Sequence, residues 1–138
     1  MPSSLHIISV IGAGAMGRGI AQMAAQAGCQ VLLFDTNPDA VRQALASVGE
    51  QWDKLVAKGR LEPAQAQGYK ARLLGATALA ELKDCQLVIE AIVERLDIKR
   101  SLFAELEAIV APSAILATNT SSLSVTAIAA QLQRPEQV

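Results

Sequence analysis

Three glycines constrain this chain more than any other feature. Gly12, Gly14 and Gly17 follow the apolar run Ile7-Ile-Ser-Val-Ile11 and open a helical stretch from Ile20 to Ala27. A β-branched strand that meets G-x-G-x-x-G and runs straight into a helix has the order of parts of a dinucleotide-binding turn. Gly12 permits the tight turn. Gly14, without a Cβ, lets backbone approach a pyrophosphate, and Gly17 lets the helix pack on the strand. The helix N-terminus offers unpaired N–H groups and a partial positive charge to phosphates.

A motif of this kind standing alone is weak, and a plain glycine-rich turn is its alternative. Here the context supports it. A second apolar strand, Val31-Leu-Leu-Phe34, ends in Asp35, near the ~20-residue interval at which a ribose-binding acid is expected. Asp35 would accept hydrogen bonds from the adenosine ribose and repel a 2′-phosphate. No Arg or Lys follows until Arg42, so NAD(H) is favoured over NADP(H). The alternative for Asp35 is a solvated loop acid.

With 138 residues, one domain spanning 1–138 is expected. The hydrophobic fraction of 51% suits a core on both faces of a sheet. A net charge of −1 gives no electrostatic footprint for nucleic acid or a membrane surface. No apolar run approaches the ~20 residues of a spanning helix, and Met1-Pro-Ser-Ser-Leu-His6 lacks the basic start of a signal peptide. A cytoplasmic protein is expected. Cys29 and Cys85 stand apart, with no C-x-x-C spacing and no His cluster for a metal. They read as buried thiols in a reducing compartment, against a disulfide or reactive thiol.

Strands are expected over 5–11, 30–34, 73–77, within 87–93 and over 114–118. Helices are expected over 14–27, from Pro38 to about Lys58, from Glu62-Pro63 to about Leu73, over 78–83, after Asp97, and from about Ser124 to Leu132. Gly28 is a C-cap candidate, Asn37 an N-cap with Pro38 at the first helical position, and Asp97 a cap for the helix bearing Ile98, Leu102, Leu106 and Ile109. The two helices after the second strand are too long for an ordinary crossover. They read as an inserted helical hairpin, or alternatively as a longer connection with no task of its own. Alternating strands and helices predict an α/β, Rossmann-like, doubly wound parallel sheet in the order 3-2-1-4-5.

Ligands of such a sheet bind outside the carboxyl ends of its strands. That edge collects Glu94 and Lys99 after the fourth strand, and Asn119, Ser121 and Ser122 after the fifth. From spacing alone, Glu94 and Lys99 read as a solvated pair at a helix start, with a cofactor contact as the alternative. Helix capping and substrate contact are equally open for the polar run. His6, the single histidine, precedes the first strand and so lies at the opposite edge. A dehydrogenase needs a positioned base, most often His, so these residues are expected to bind cofactor without completing a reaction.

Gly12-Ala-Gly-Ala-Met-Gly-Arg-Gly-Ile-Ala21, Val88-Ile-Glu-Ala-Ile-Val-Glu94 and Ala117-Thr-Asn-Thr-Ser-Ser-Leu123 together resemble the N-terminal domain of the 3-hydroxyacyl-CoA dehydrogenases, over essentially the whole chain. That family oxidises the 3-hydroxyl of an acyl-CoA with NAD. The resemblance implies that Gly12, Gly14, Ala15, Met16 and Gly17 hold the pyrophosphate and Asp35 the adenosine ribose. It makes Glu94, Lys99 and Asn119 cofactor contacts and gives Ser121 a catalytic position against substrate and cofactor. The hairpin would be the arm that meets CoA, with Lys58 toward its phosphates. It further implies that the catalytic His, its Glu partner and a helical substrate and dimerisation domain lie beyond Val138. The chain would then be the NAD-binding part of a homodimeric enzyme and inactive alone. The similarity extends to members acting on 3-hydroxyadipyl-CoA in phenylacetate degradation. Two other readings stand beside it: a 3-hydroxyacid dehydrogenase of the 6-phosphogluconate type, and a non-catalytic relative like lambda-crystallin. Asp35-Thr36 and the long hairpin do not fit the first.

Overall fold

The apolar runs that alternate with helices assemble into one parallel sheet. The computed structural model describes residues 7–92, 96–118 and 136. Its strands are β1 (Ile7–Ile11), β2 (Gln30–Phe34), β3 (Leu73–Gly75), β4 (Leu87–Glu90) and β5 (Ile115–Thr118). They lie in the order β3-β2-β1-β4-β5, as the sequence predicts, and every neighbouring pair is parallel. Register places Ile11 beside Phe34 on one side and Glu90 on the other. Glu90 is in turn beside Thr118. The carboxyl ends of four strands therefore finish level, at one edge.

The crossovers are α1 (Ala15–Gln26), α2 (Pro38–Ala57), α3 (Pro63–Arg72) and α4 (Leu96–Ile109), with a 3₁₀ helix at Leu79–Leu82. Asn37 caps α2 as expected, its side chain accepting the Asp39 N–H at 3.0 Å, a contact worth ~1 kcal/mol. Gly28 follows the cap residue Ala27 with φ 102°. Parallel strands bury both faces, and the core accordingly has two parts. Ile8, Val10, Val31 and Leu33 face α1, α2 and α3. Ile11, Val88 and Leu116 face α4 and the 3₁₀ helix.

The hairpin of α2 and α3 is docked on α1. Trp52 is fully buried. Its indole N–H donates to Gln26 Oε1 at 3.0 Å, and its ring tilts against Tyr69 with centroids 5.4 Å apart. Arg72 Nη1 donates to the Ala25 carbonyl at 3.0 Å. Cys29 and Cys85 are both buried and form no disulfide, in line with the expectation.

Three local readings are corrected. The helix expected over 78–83 is the 3₁₀ helix, because the Glu81 carboxylate takes the N–H groups of Thr77 (2.6 Å) and Ala78 (2.8 Å) and tightens the turn. Asp97 is no cap: α4 starts at Leu96, and Asp97 lies in its first turn. The stripe of α4 is corrected in part: of the expected residues, Leu106 is buried and Leu102 and Ile109 pack against the core, while Ile98 is 40% exposed and Lys99 and Phe103 join the buried face. Beyond the described residues lie His6, Glu94, Asn119, Ser121, Ser122 and the helix expected over 124–132.

Candidate functional site

The carboxyl ends of β1, β2 and β4 open into a groove of ≈ 550 Å³, bordered by Gly12, Gly14, Asp35, Ile92, Ile98 and Leu102. The three glycines of the turn have separate reasons to be glycine. Gly12 has φ 110°, and a Cβ there would sit 2.6 Å from the Ala91 carbonyl oxygen. At Gly17 a Cβ would come within 1.7 Å of the Gly12 carbonyl oxygen. These two make the protein's own turn possible. A Cβ on Gly14 would meet nothing within 4 Å, so the space in front of it is left for something other than protein. Gly14 is also the N-cap of α1, with no side-chain cap and no acid in the first turn. Ala15 and Met16 stand exposed at that helix start. This arrangement suits an anion.

Asp35 is fixed by the turn it serves. Its Oδ2 accepts the Ala13 N–H at 2.9 Å and its Oδ1 accepts the Asn37 N–H at 2.9 Å. A carboxylate oxygen has two lone pairs, so each oxygen keeps an acceptor site while the group is held in place. Arg42, the first cation after it, is exposed and ion-paired with Asp39.

On the other side of β1 the edge is built differently. Glu90, the last residue of β4, is 0% exposed. Its Oε2 accepts the Ile92 N–H at 2.6 Å, and its Oε1 accepts the Thr118 hydroxyl at the end of β5. Lys99 of α4, also 0% exposed, places Nζ 3.3 Å from the same Oε1. Lys99 is therefore not half of a solvated pair. It is a buried cation compensated by Glu90, which sequence reasoning missed. The signals were present. Glu90 interrupts the apolar run 87–93, and Lys99 stands four and seven residues before Phe103 and Leu106, in register with the core face. The apolar walls Leu79, Ile98 and Leu102 were also missed as site residues. Lys58 caps the C-terminus of α2. It is exposed on the hairpin and does not border the groove.

Residues 7–138 match the model of the 3-hydroxyacyl-CoA dehydrogenase NAD binding domain. The chain belongs to this family. It is 41% identical over 138 residues to the 3-hydroxyadipyl-CoA dehydrogenase of Escherichia coli, covering 100% of this chain and 29% of that one. To the 3-hydroxybutyryl-CoA dehydrogenase of Bradyrhizobium diazoefficiens it is 39% identical over 137 residues, covering 99% and 47%. The crystal structure of an Escherichia coli 3-hydroxybutyryl-CoA dehydrogenase superposes with a TM-score of 0.94 at 40% identity, over 99% of this chain and 29% of that one. The chain thus spans less than half the length of these relatives. As an NAD-binding domain of the 3-hydroxyacyl-CoA dehydrogenases it has NAD as its cofactor, and the glycine turn and Asp35 fit that group. Among the described residues, no helix is long and apolar enough to cross a membrane.

Proposed function

We infer that this chain holds NAD across the carboxyl edge of its sheet, for the oxidation of a 3-hydroxyacyl-CoA by an enzyme of which residues 1–138 form the cofactor domain. The observation that carries this is the open approach to Gly14, set between the uncapped start of α1 and the anchored Asp35 carboxylate. Gly12, Gly14, Ala15, Met16 and Gly17 receive the pyrophosphate. Asp35 accepts the hydroxyls of the adenosine ribose, and Leu79, which follows β3, gives the adenine an apolar wall. The nicotinamide half lies toward β4 and β5, where the family motif adds Glu94, Lys99, Asn119 and Ser121. Bound NAD supplies the hydride acceptor. Ser121 meets the substrate hydroxyl, and Lys58 on the hairpin faces the CoA phosphates.

In this reading the base that takes the hydroxyl proton comes from outside these residues, whose one histidine, His6, precedes β1 in the sequence. The names of the relatives support an acyl-CoA substrate, with 3-hydroxyadipyl-CoA, as in phenylacetate degradation, the first to try. A cytoplasmic homodimer, paired through a further domain, is part of the same reading.

The test is a fluorescence titration of the chain with NADH and NADPH. NADH binds preferentially, and Asp35→Ala weakens it about ten- to hundredfold, the equivalent of ~1.5–3 kcal/mol for hydrogen bonds to a charged group. Equal affinity for NADPH, or an Asp35→Ala chain that binds like the parent, would refute the assignment.

A further inference from the structure

One buried group outside the glycine turn is tied to three of the described elements on the β4–β5 side of the groove. The Glu90 carboxylate turns the chain after β4 back on itself through the Ile92 N–H. It holds the last residue of β5 through the Thr118 hydroxyl, and it holds α4 through Lys99. Glu90 and Lys99 are both 0% exposed. Burying an ion pair contributes little to stability, since desolvation offsets attraction, and an apolar pair of similar volume would close the same space. Such a cluster, placed at a sheet edge where ligands bind, fits a positional role better than a stabilising one.

We propose that Glu90 is the positioning residue of the nicotinamide half of the site: it fixes Lys99 and the end of β5 relative to the turn after β4, without itself touching the cofactor. This rests on the reading that NAD straddles the edge, with its adenosine half over β1 and β2. In a doubly wound sheet the two halves of a dinucleotide occupy opposite sides of the switch between β1 and β4. Glu90, Lys99 and Thr118 all lie beyond that switch, while Asp35 and Gly14 lie before it.

The experiment compares two ligands on the same chain. ADP probes the adenosine half alone, and NADH probes both. The variants are Glu90→Gln, which keeps Lys99 but removes the charge that anchors it, and Thr118→Val with Thr118→Ser as its conservative partner. In Glu90→Gln the introduced amide keeps its carbonyl on the Ile92 N–H and can turn its NH₂ to Thr118, so the turn bordering the groove survives. Thermal melting verifies that each variant folds. Glu90→Gln is expected to bind ADP within twofold of the parent and NADH at least tenfold more weakly. Thr118→Val should show the same selective loss at smaller size, and Thr118→Ser should recover it. NADH binding unchanged in Glu90→Gln or in Thr118→Val, or ADP and NADH weakened in parallel, overturns the proposal. Failure of the parent chain to bind ADP, or ADP binding indifferent to Asp35→Ala, instead overturns the reading beneath it.

Discussion

The two sides of the groove reach the same end by different means. Before the switch point, the site is made of backbone. Gly12 and Gly17 let main chain touch main chain, α1 begins with no side-chain cap, and Asp35 is held by two N–H groups. Beyond it, the described site is made of side chains, with buried Glu90 and Lys99 and half-buried Thr118 joined across three elements. A backbone site fails when volume is added, because nothing in a main chain can move aside. A side-chain site fails when charge is unbalanced, because nothing in a dry interior can replace a missing partner.

The largest effect should come from the charged side. Lys99→Met leaves Glu90 buried without its cation, and loss of one partner of a buried pair costs about 3–5 kcal/mol. Urea denaturation of the chain measures it. The double variant Glu90→Gln/Lys99→Met should recover most of that loss. If Lys99→Met denatures at the parent's urea concentration, the pair is not buried in solution, and the contrast between the two sides disappears.

A smaller effect divides the backbone side within itself. Gly17→Ala forces a Cβ to 1.7 Å from the Gly12 carbonyl oxygen, which only a backbone shift can relieve. About 1–3 kcal/mol or more of stability should go, as for overpacking elsewhere, and NADH binding with it. Gly14→Ala meets no protein atom within 4 Å at an ordinary φ of −72°. Its stability should stay within ~1 kcal/mol of the parent, while NADH affinity falls because the new methyl fills the approach. Loss of stability in Gly14→Ala, or retained binding, would mean that this glycine serves the fold and not a ligand.

The same division explains what could be read from the sequence. The glycine turn, Asp35, the Asn37 cap and the strand order were legible because each depends on neighbours in the chain or on rules of crossover handedness. The Glu90–Lys99–Thr118 cluster was not. Its members come from β4, α4 and β5, and their contact appears only when the register sets Glu90 beside Thr118. Taken singly, Lys99 at a helix start looks solvated, and Thr118 looks like a strand end. Of the expected α4 stripe, Leu102, Leu106 and Ile109 do meet the core, while Ile98 borders the groove and Lys99 and Phe103 take the fully buried positions.

The smallest effect contrasts the two ends of β4. Glu90 at its carboxyl end is buried with three partners, whereas Cys85, just before its amino end, is a buried thiol. Burial, reinforced by the neighbouring Asp84 carboxylate, pushes that thiol up to about 11. The folded thiol therefore stays protonated through the range in which an unfolded one, ordinarily near ~8.5, gives up its proton. Between those values the folded state binds more protons than the unfolded state, so stability falls as pH rises. It is full below about pH 8.5 and has lost on the order of 1 kcal/mol by about pH 9.5. Subtracting the pH profile of Cys85→Ala from that of the parent isolates this slope from the lysines and the tyrosine that titrate nearby. Identical alkaline slopes would mean that solvent reaches the amino end of β4. Partnered charge and lone neutral thiol would then no longer stand as the two ways in which this sheet buries an ionisable group.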